Sequence, residues 1–406
     1  MAAGDGRHPW PGSTRLDGAV AITGGNAPDR MPRRILIAPD KFKGTLSARE
    51  AAEAIARGWA RVHPDDEVVP VPVSDGGDGF GSVLAEAAGA LPRETVTVDA
   101  AHRPRTAPWW WSPGRSVAVV ETAQVVGLAL MPPRVFHPFD LDTFGIGAVL
   151  QDAVDAGARE CWVGIGGSAT NDGGMGLARA MGWEFLDKAG HGIERWPDLV
   201  GLHGVRRPMM PRLDGCRLTV AVDVDNPLLG PAGCSQIYGP QKGLRPEDMA
   251  RAEAALGRLA EVMAAELGVD MASWPGSGAA GGLGFALRAF LGARAESGFE
   301  MVAQAVGLDA HLASCDLVIT GEGSLDRQSL MGKGTGRMAA CARAAGRPCV
   351  GLAGRVEALP ESEAAASMFD ATLGIAPGLA SVEEAMARPA YWLEELAAVV
   401  ARQEAI

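Results

Sequence analysis

Five segments of this chain join glycine to Asp, Asn, Ser, Thr or Lys, and each follows a predicted strand. That placement restricts the fold most, because open α/β sheets bind ligands in the crevice outside the C-terminal ends of their strands. The pattern around the segments agrees. An apolar run at 34–38 is followed by a polar loop, and Ser47 then heads an apolar-periodic stretch reaching residue 62. Residues 67–73 form a second buried run, and after another glycine loop a helix is predicted to about residue 88. Such a βαβα opening predicts a parallel sheet covered by helices. The same grammar returns late in the chain, with strands predicted at 316–320, 349–353 and 371–375 and helices at 338–345 and 382–401. Between these stretches, strands at 94–99, 107–112 and 116–121 are separated by short turns, which predicts antiparallel pairing. Helices at 145–156, 172–181 and 246–267 follow. The expected fold class is therefore α/β: a discontinuous parallel-sheet domain over 31–90 and 285–406, with a mixed α/β domain, 91–284, inserted into it. Residues 1–30, rich in Gly, Pro, Asp and Arg, read as a disordered extension, with Met31 as the functional start.

Composition removes several functions. A net charge of −12 repels nucleic acid and anionic membranes unless a local basic patch intervenes, and no basic run is present. The most apolar stretch, 117–131, contains Glu121 and Gln124 and falls short of the roughly 18 apolar residues of a membrane helix. The opening residues carry Asp5, Arg7 and His8 and no apolar core of a secretory signal, so the expected compartment is the cytoplasm. The six cysteines and seven histidines are dispersed, without metal-ligand spacing, and no Gly-x-Ser-x-Gly elbow occurs. Zinc and serine hydrolases lose their main support. The Trp109-Trp110-Trp111 run is read as core or interface packing, since alternate rings of a strand face opposite ways.

Basic residues number 37, yet only five are lysines: Lys41, Lys43, Lys188, Lys242 and Lys333. In so arginine-rich a chain, a lysine marks a place that wants a compact ammonium, and four of the five lie beside glycine-rich segments. The first segment, Asp40-Lys41-Phe42-Lys43-Gly44, offers two point charges at a helix N-terminus. The second, Asp75-Gly76-Gly77-Asp78-Gly79, sets two carboxylates among glycines, as a metal ligand or general base requires. The third is the most telling: Gly164-Ile165-Gly166-Gly167-Ser168-Ala169-Thr170-Asn171-Asp172-Gly173-Gly174 lets backbone approach an anion, supplies hydroxyl donors, and ends on a carboxylate fit to take a proton or hold Mg²⁺. The fourth runs from Asp223 through Asn226 to Lys242 and Gly243. The fifth, Gly321-Glu322-Gly323-Ser324-Leu325-Asp326, leads to Lys333, and a less polar stretch around Gly281 and Gly282 suits close packing against nucleotide.

Anion cradles, carboxylates and lysines together suit phosphoryl transfer, and neither a Walker A loop nor the protein-kinase signature is present. Asp172 and Asp223 lead as base or Mg²⁺ ligand, with Lys41 beside them as a catalytic charge, and the sequence does not divide base from ligand. A competing reading exists. Gly164-x-Gly166-x-x-Ala169, with Glu184 downstream, matches a dinucleotide fingerprint, so an NAD-dependent oxidoreductase acting on a small hydroxy acid is the alternative.

The runs Ala38-Pro39-Asp40, Phe42-Lys43, Asp75-Gly76-Gly77, Gly164 to Gly174, Asn226-Pro227-Leu228, Gly239-Pro240-Gln241-Lys242-Gly243 and Thr320-Gly321-Glu322-Gly323 resemble, in that order, the bacterial glycerate kinases. The resemblance spans about 35–356 and implies ATP and Mg²⁺ as cofactors and D-glycerate as acceptor, with 2-phosphoglycerate favoured over 3-phosphoglycerate as product. It also implies that the discontinuous domain is flavodoxin/Rossmann-like. The chain departs from the common pattern at Lys41, Ser324 and Ile146. Whether the protein acts as a monomer or a homodimer is not set by the sequence.

Overall fold

The computed structural model describes residues 31–77, 79–210, 212–326, 334–357 and 368–403. Asp78, Lys333 and the expected extension 1–30 lie outside the described residues. The chain divides into two compact units, one formed by residues up to 74 together with 306 onward, the other by 75–305.

The first unit is built on a five-stranded parallel sheet, ordered Ala371–Ala376, Cys349–Val356, Leu317–Leu325, Arg34–Ile37, Glu67–Pro70. The chain leaves Arg34–Ile37 toward one edge and, returning at Leu317–Leu325, proceeds to the other, so the winding reverses between these two strands. Such a reversal opens a crevice at the strand C-termini. Helix Ala48–Ala60 starts at Ser47, whose side chain accepts from the Glu50 N–H while the Glu50 carboxylate accepts from the Ser47 N–H. Its apolar face, Ile55 and Trp59 included, packs with Ile35, Ile37, Leu317 and Ile319 of the sheet and with Leu393, Leu396 and Val400 of helix Pro389–Gln403. The expected single helix 382–401 is instead two, Val382–Ala387 and Pro389–Gln403, because Pro389 lacks the N–H that would continue the first and suits the opening turn of the second.

The second unit carries a six-stranded sheet ordered Arg294–Glu296, Arg217–Ala221, Glu160–Gly164, Val117–Glu121, Pro104–Ser112, Leu91–Val98. The first four strands are parallel, and the last two add the antiparallel edge expected from their short turn. Trp109 and Trp111 are buried at 3% and 7% exposure on one face of their strand. Trp110 points to the other face and covers Gly81, where an added Cβ would stand 2.2 Å from the ring. The triple tryptophan is thus packing, as expected.

The domain boundaries differ from the expected 90/91 and 284/285. Helix Phe80–Ala88 belongs to the second unit because Gly81 sits under Trp110 and Phe80 fills the space beside Gly164. Residues 285–305 belong there too, since Arg294–Glu296 pairs with Thr219–Ala221 as the last strand of its sheet. Among the described residues no helix is long and apolar enough to cross a membrane.

Gly58 gives a test of the first unit's packing. A Cβ there would lie 2.2 Å from the Glu394 carbonyl oxygen, so Gly58→Ala must push helices Ala48–Ala60 and Pro389–Gln403 apart. The expected result is a loss of about 1–3 kcal/mol in urea unfolding, despite alanine's better helix propensity.

Candidate active site

In the second unit the four parallel strands end side by side, and the loops that leave them converge. Gly166 meets the 75–77 turn, where an added Cβ would stand 2.6 Å from the Gly77 Cα. Gly298 meets both the Gly76 backbone and an Asp223 carboxylate oxygen at 2.7 Å by the same measure. Asp223, just past strand Arg217–Ala221, is half-buried, and its Oδ1 accepts from the Ser297 hydroxyl at 2.7 Å. Its Oδ2 accepts from the Phe299 N–H at 3.3 Å. Glu121, buried at the end of its own strand, accepts from the Gly79 and Gly81 N–H groups and fixes the turn that follows Asp75. Asp75 in turn accepts from the Gly77 N–H at 3.1 Å. The structure therefore brings Asp75, Gly76, Gly77, Gly166 and Asp223 together, and adds Ser297 and Gly298, which sequence reasoning missed. Their signal was available only as a small polar pair following a short strand.

Asp172 stands differently. It is fully buried, and its Oδ2 accepts from the Thr143 N–H at 3.0 Å, the Thr143 hydroxyl at 2.8 Å and the Gly176 N–H at 2.9 Å. Oδ1 accepts from the Gly174 N–H at 3.2 Å. Burial and the nearby Asp142 charge push its carboxyl up to about 6 against the pull of those hydrogen bonds. With both oxygens engaged inside the protein, its geometry is that of an anchor joining the 142–144 turn to helix Met175–Ala180.

The other polar residues of that loop are also turned inward. Ser168 and Thr170 share a hydroxyl–hydroxyl bond of 2.9 Å, and the Asn171 amide donates to Ser235 at 2.9 Å. Gly167 is left-handed, with φ of 77°, and its carbonyl accepts from the Leu128 N–H. Gly281 and Gly282, also left-handed, lie against Thr170, Asn171 and Gly173, so they admit backbone to backbone. Asn226 closes its own loop, donating to the Ala232 carbonyl and accepting from the Tyr238 hydroxyl. Lys242 is buried, and its Nζ donates to the Thr170 carbonyl at 2.7 Å.

In the first unit, the crevice where the winding reverses is edged by the loop after Arg34–Ile37 and by strand Leu317–Leu325. The Asp40 N–H donates to the Gly321 carbonyl, and Gly323 lies against the Lys43 backbone. Asp40 is 6% exposed, accepts from the Lys41 N–H at 2.7 Å, and has the Lys41 ammonium at 3.8 Å. Helix Gly334–Ala344 begins beside it, and a Cβ on Gly334 would stand 2.6 Å from the Asp40 Oδ2. The buried Thr335 hydroxyl has no hydrogen-bond partner among the described residues. Lys43 is exposed, while Glu322 and Asp326 are half-buried along and just past the same strand. Asp40 and Thr335 are additions to the sequence reading, although Asp40 stood in plain view as the first carboxylate after a strand.

The dinucleotide alternative finds no support. A Rossmann turn passes directly into its helix, but here ten residues separate Gly164 from Met175, and Gly166 is spent on Gly77. Glu184 is exposed on a short strand and ion-paired with Arg206.

The glycerate kinase family profile matches residues 35–404. The chain belongs to the glycerate kinase family. It is 39% identical over 330 residues to the glycerate 2-kinase of Escherichia coli K12, covering 79% of this chain and 85% of that one. It is 38% identical to a glycerate kinase of Halalkalibacterium halodurans, covering 90% and 97%. A solved structure from Salmonella typhimurium LT2 assigned as glycerate kinase 2 superposes with a TM-score of 0.78 at 36% identity, over 92% of this chain and 98% of that one. The protein is thus a kinase, and its α/β architecture is that of its relatives.

Asp172→Asn tests the anchor. An amide nitrogen cannot accept the hydrogen bonds that one carboxylate oxygen now takes, so folding stability should fall by about 1–3 kcal/mol. A base at this position would instead lose turnover with its denaturant midpoint intact.

Proposed function

We propose that this glycerate kinase transfers the γ-phosphoryl group of ATP to the C2 hydroxyl of D-glycerate, giving ADP and 2-phosphoglycerate. The observation that carries the reading is the position of Asp223: half-buried just past the end of a parallel strand, with the Gly76 and Gly298 backbones against its carboxylate. In this reading Asp223 takes the hydroxyl proton, the freed oxygen forms a bond to the γ-phosphorus, and the bond from that phosphorus to the β–γ bridging oxygen breaks. Gly76 and Gly166 let the backbones of their loops pack closely beside Asp223.

A candidate phosphate-binding crevice also lies within the first unit. Between Arg34–Ile37 and Leu317–Leu325, this crevice has glycines 321 and 323 on its edge, the N-terminus of an eleven-residue helix at Gly334, and the exposed Lys43 ammonium. The Lys41 charge lies close to Asp40 and is there a partner of that carboxylate as well as a candidate for phosphate. Mg²⁺ is held in kinases by one or two carboxylates together with phosphate oxygens, and Asp40, beside the crevice of the first unit, would supply one such carboxylate. Once bound, the ion neutralises charge developing on the phosphate oxygens. The preference for C2 is supported by the name of the Escherichia coli relative, glycerate 2-kinase. An ATP-consuming reaction on a small hydroxy acid supports the cytoplasm as its compartment.

A coupled ADP-release assay across small hydroxy acids tests the reaction, and D-glycerate with Mg²⁺ should give the highest kcat/KM. Phosphorus NMR of the product separates the two hydroxyls: coupling to the single C2 hydrogen gives a doublet, coupling to the two C3 hydrogens a triplet. A triplet would move the attack to C3, and binding without turnover would leave a ligand-binding protein in place of a kinase. For the base, Asp223→Asn should lower kcat by about 10²-fold to 10⁴-fold with little change in melting temperature. Near-full kcat in that variant would remove Asp223 from the chemistry.

A further inference from the structure

We propose that Lys242 is a positioning residue: together with Ser235 of the same helix it clamps the glycine loop 166–174, and it does not itself meet phosphate. Helix Cys234–Lys242 lies against that loop and grips it at two successive residues. Lys242 Nζ donates to the Thr170 carbonyl at 2.7 Å, and Ser235 Oγ accepts from the Asn171 amide at 2.9 Å. The loop also rests on the turn 280–282. There the Gly173 N–H donates to the Gly281 carbonyl at 3.0 Å, and an added Cβ on Gly281 would fall 2.0 Å from the Thr170 oxygen. The Thr170 carbonyl is thus pinned between a lysine and a glycine.

The position of Lys242 argues against phosphate contact. The residue is 8% exposed, and its ammonium is enclosed with one hydrogen-bond partner among the described residues. Burying an ammonium is unfavourable, and one carbonyl does not repay the loss of its water. Burial accordingly pulls its pKa down to about 8, with the Cys234 thiol and the Asp172 carboxylate, the ionisable groups that act on it, pulling the other way. The contact it makes in exchange is with the loop. The loop it holds presents Gly166 to the 75–77 turn beside Asp223, so loosening it displaces the binding surface without touching substrate.

Lys242→Met keeps most of the stem and removes the donor. Three readouts on the full-length protein decide the matter. Amide hydrogen exchange at 168–174, measured without substrate, should speed up by roughly tenfold or more while melting temperature changes little. The kcat/KM for D-glycerate should fall by about 10²-fold, as displacement of a site surface does. In the native enzyme kcat/KM should decline above pH 8 as the ammonium loses its proton, and that limb should vanish in the variant. Wild-type exchange with a raised KM would make Lys242 a substrate ligand and overturn the proposal, as would wild-type kinetics and exchange together. Should the methionine variant fail to fold, Ser235→Ala releases the second grip alone: faster exchange at 168–174 supports the clamp, and wild-type exchange refutes it. Only the kinetic arms rest on the proposed reaction. If the native protein shows no turnover, that reading fails while the exchange result still stands or falls by itself.

Discussion

The carboxylate of Asp172 is the interaction on which the larger unit's site depends. Four donors from two segments close on it, two from Thr143 and one each from Gly174 and Gly176. Thr143 answers with its own hydroxyl, which accepts from the Leu177 N–H. The start of helix Met175–Ala180 is thereby tied to the turn that opens helix Ile146–Asp155, and the loop between strand Glu160–Gly164 and Met175 has a fixed end. From that end the chain runs back through Thr170 and Ser168 to Gly166, which is how the Gly77 turn finds backbone to lean on.

The layout was legible in the sequence because its signals are local. Short apolar runs bounded by glycine loops mark the parallel strands, and the turns near 100 and 114 mark the antiparallel edge. The boundaries were not legible, because they depend on partners far away in the chain. Arg294–Glu296 has only three residues, all exposed, and becomes a strand by pairing with residues 219–221. Helix Phe80–Ala88 reads like any crossover helix until Trp110 is seen covering Gly81. Pro389 was a local signal, and the expected helix 382–401 ran through it.

The site was legible as a set of loops and not as a set of roles. Each glycine segment named in advance and described in the structure lies at a strand end or packs against a loop that does. Which oxygen or nitrogen stays available follows from hydrogen bonding, and that is invisible in a motif. Asp172 and Asp223 look alike in sequence, each an acid among small residues past a strand. One is fully buried and enclosed by four donors, and the other stands half-buried just past its strand, holding the Ser297 hydroxyl. Asp40 was passed over in favour of its lysine neighbours, although it is the buried carboxylate of that loop.

The same contrast explains why the densest motif is not where the chemistry is assigned. Glycine at 166, 173 and 174 permits close backbone approach, yet each glycine surrenders more conformational freedom on folding than any other residue. A loop so rich in glycine adopts one shape only if other groups offset that entropy. Here the offset comes from the polar residues interleaved with the glycines: Ser168 and Thr170 bonded to each other, Asn171 to Ser235, Asp172 to four donors, and the Thr170 carbonyl to Lys242. Those side chains look catalytic because they are polar and buried together, but their hydrogen-bonding capacity is largely consumed in giving the glycines a fixed path. In the proposed reaction the reacting carboxylate comes from outside the glycine-richest run, where the backbone is held by strand pairing and needs no such support. Asp223, leaving strand Arg217–Ala221 between two parallel neighbours, is in that position.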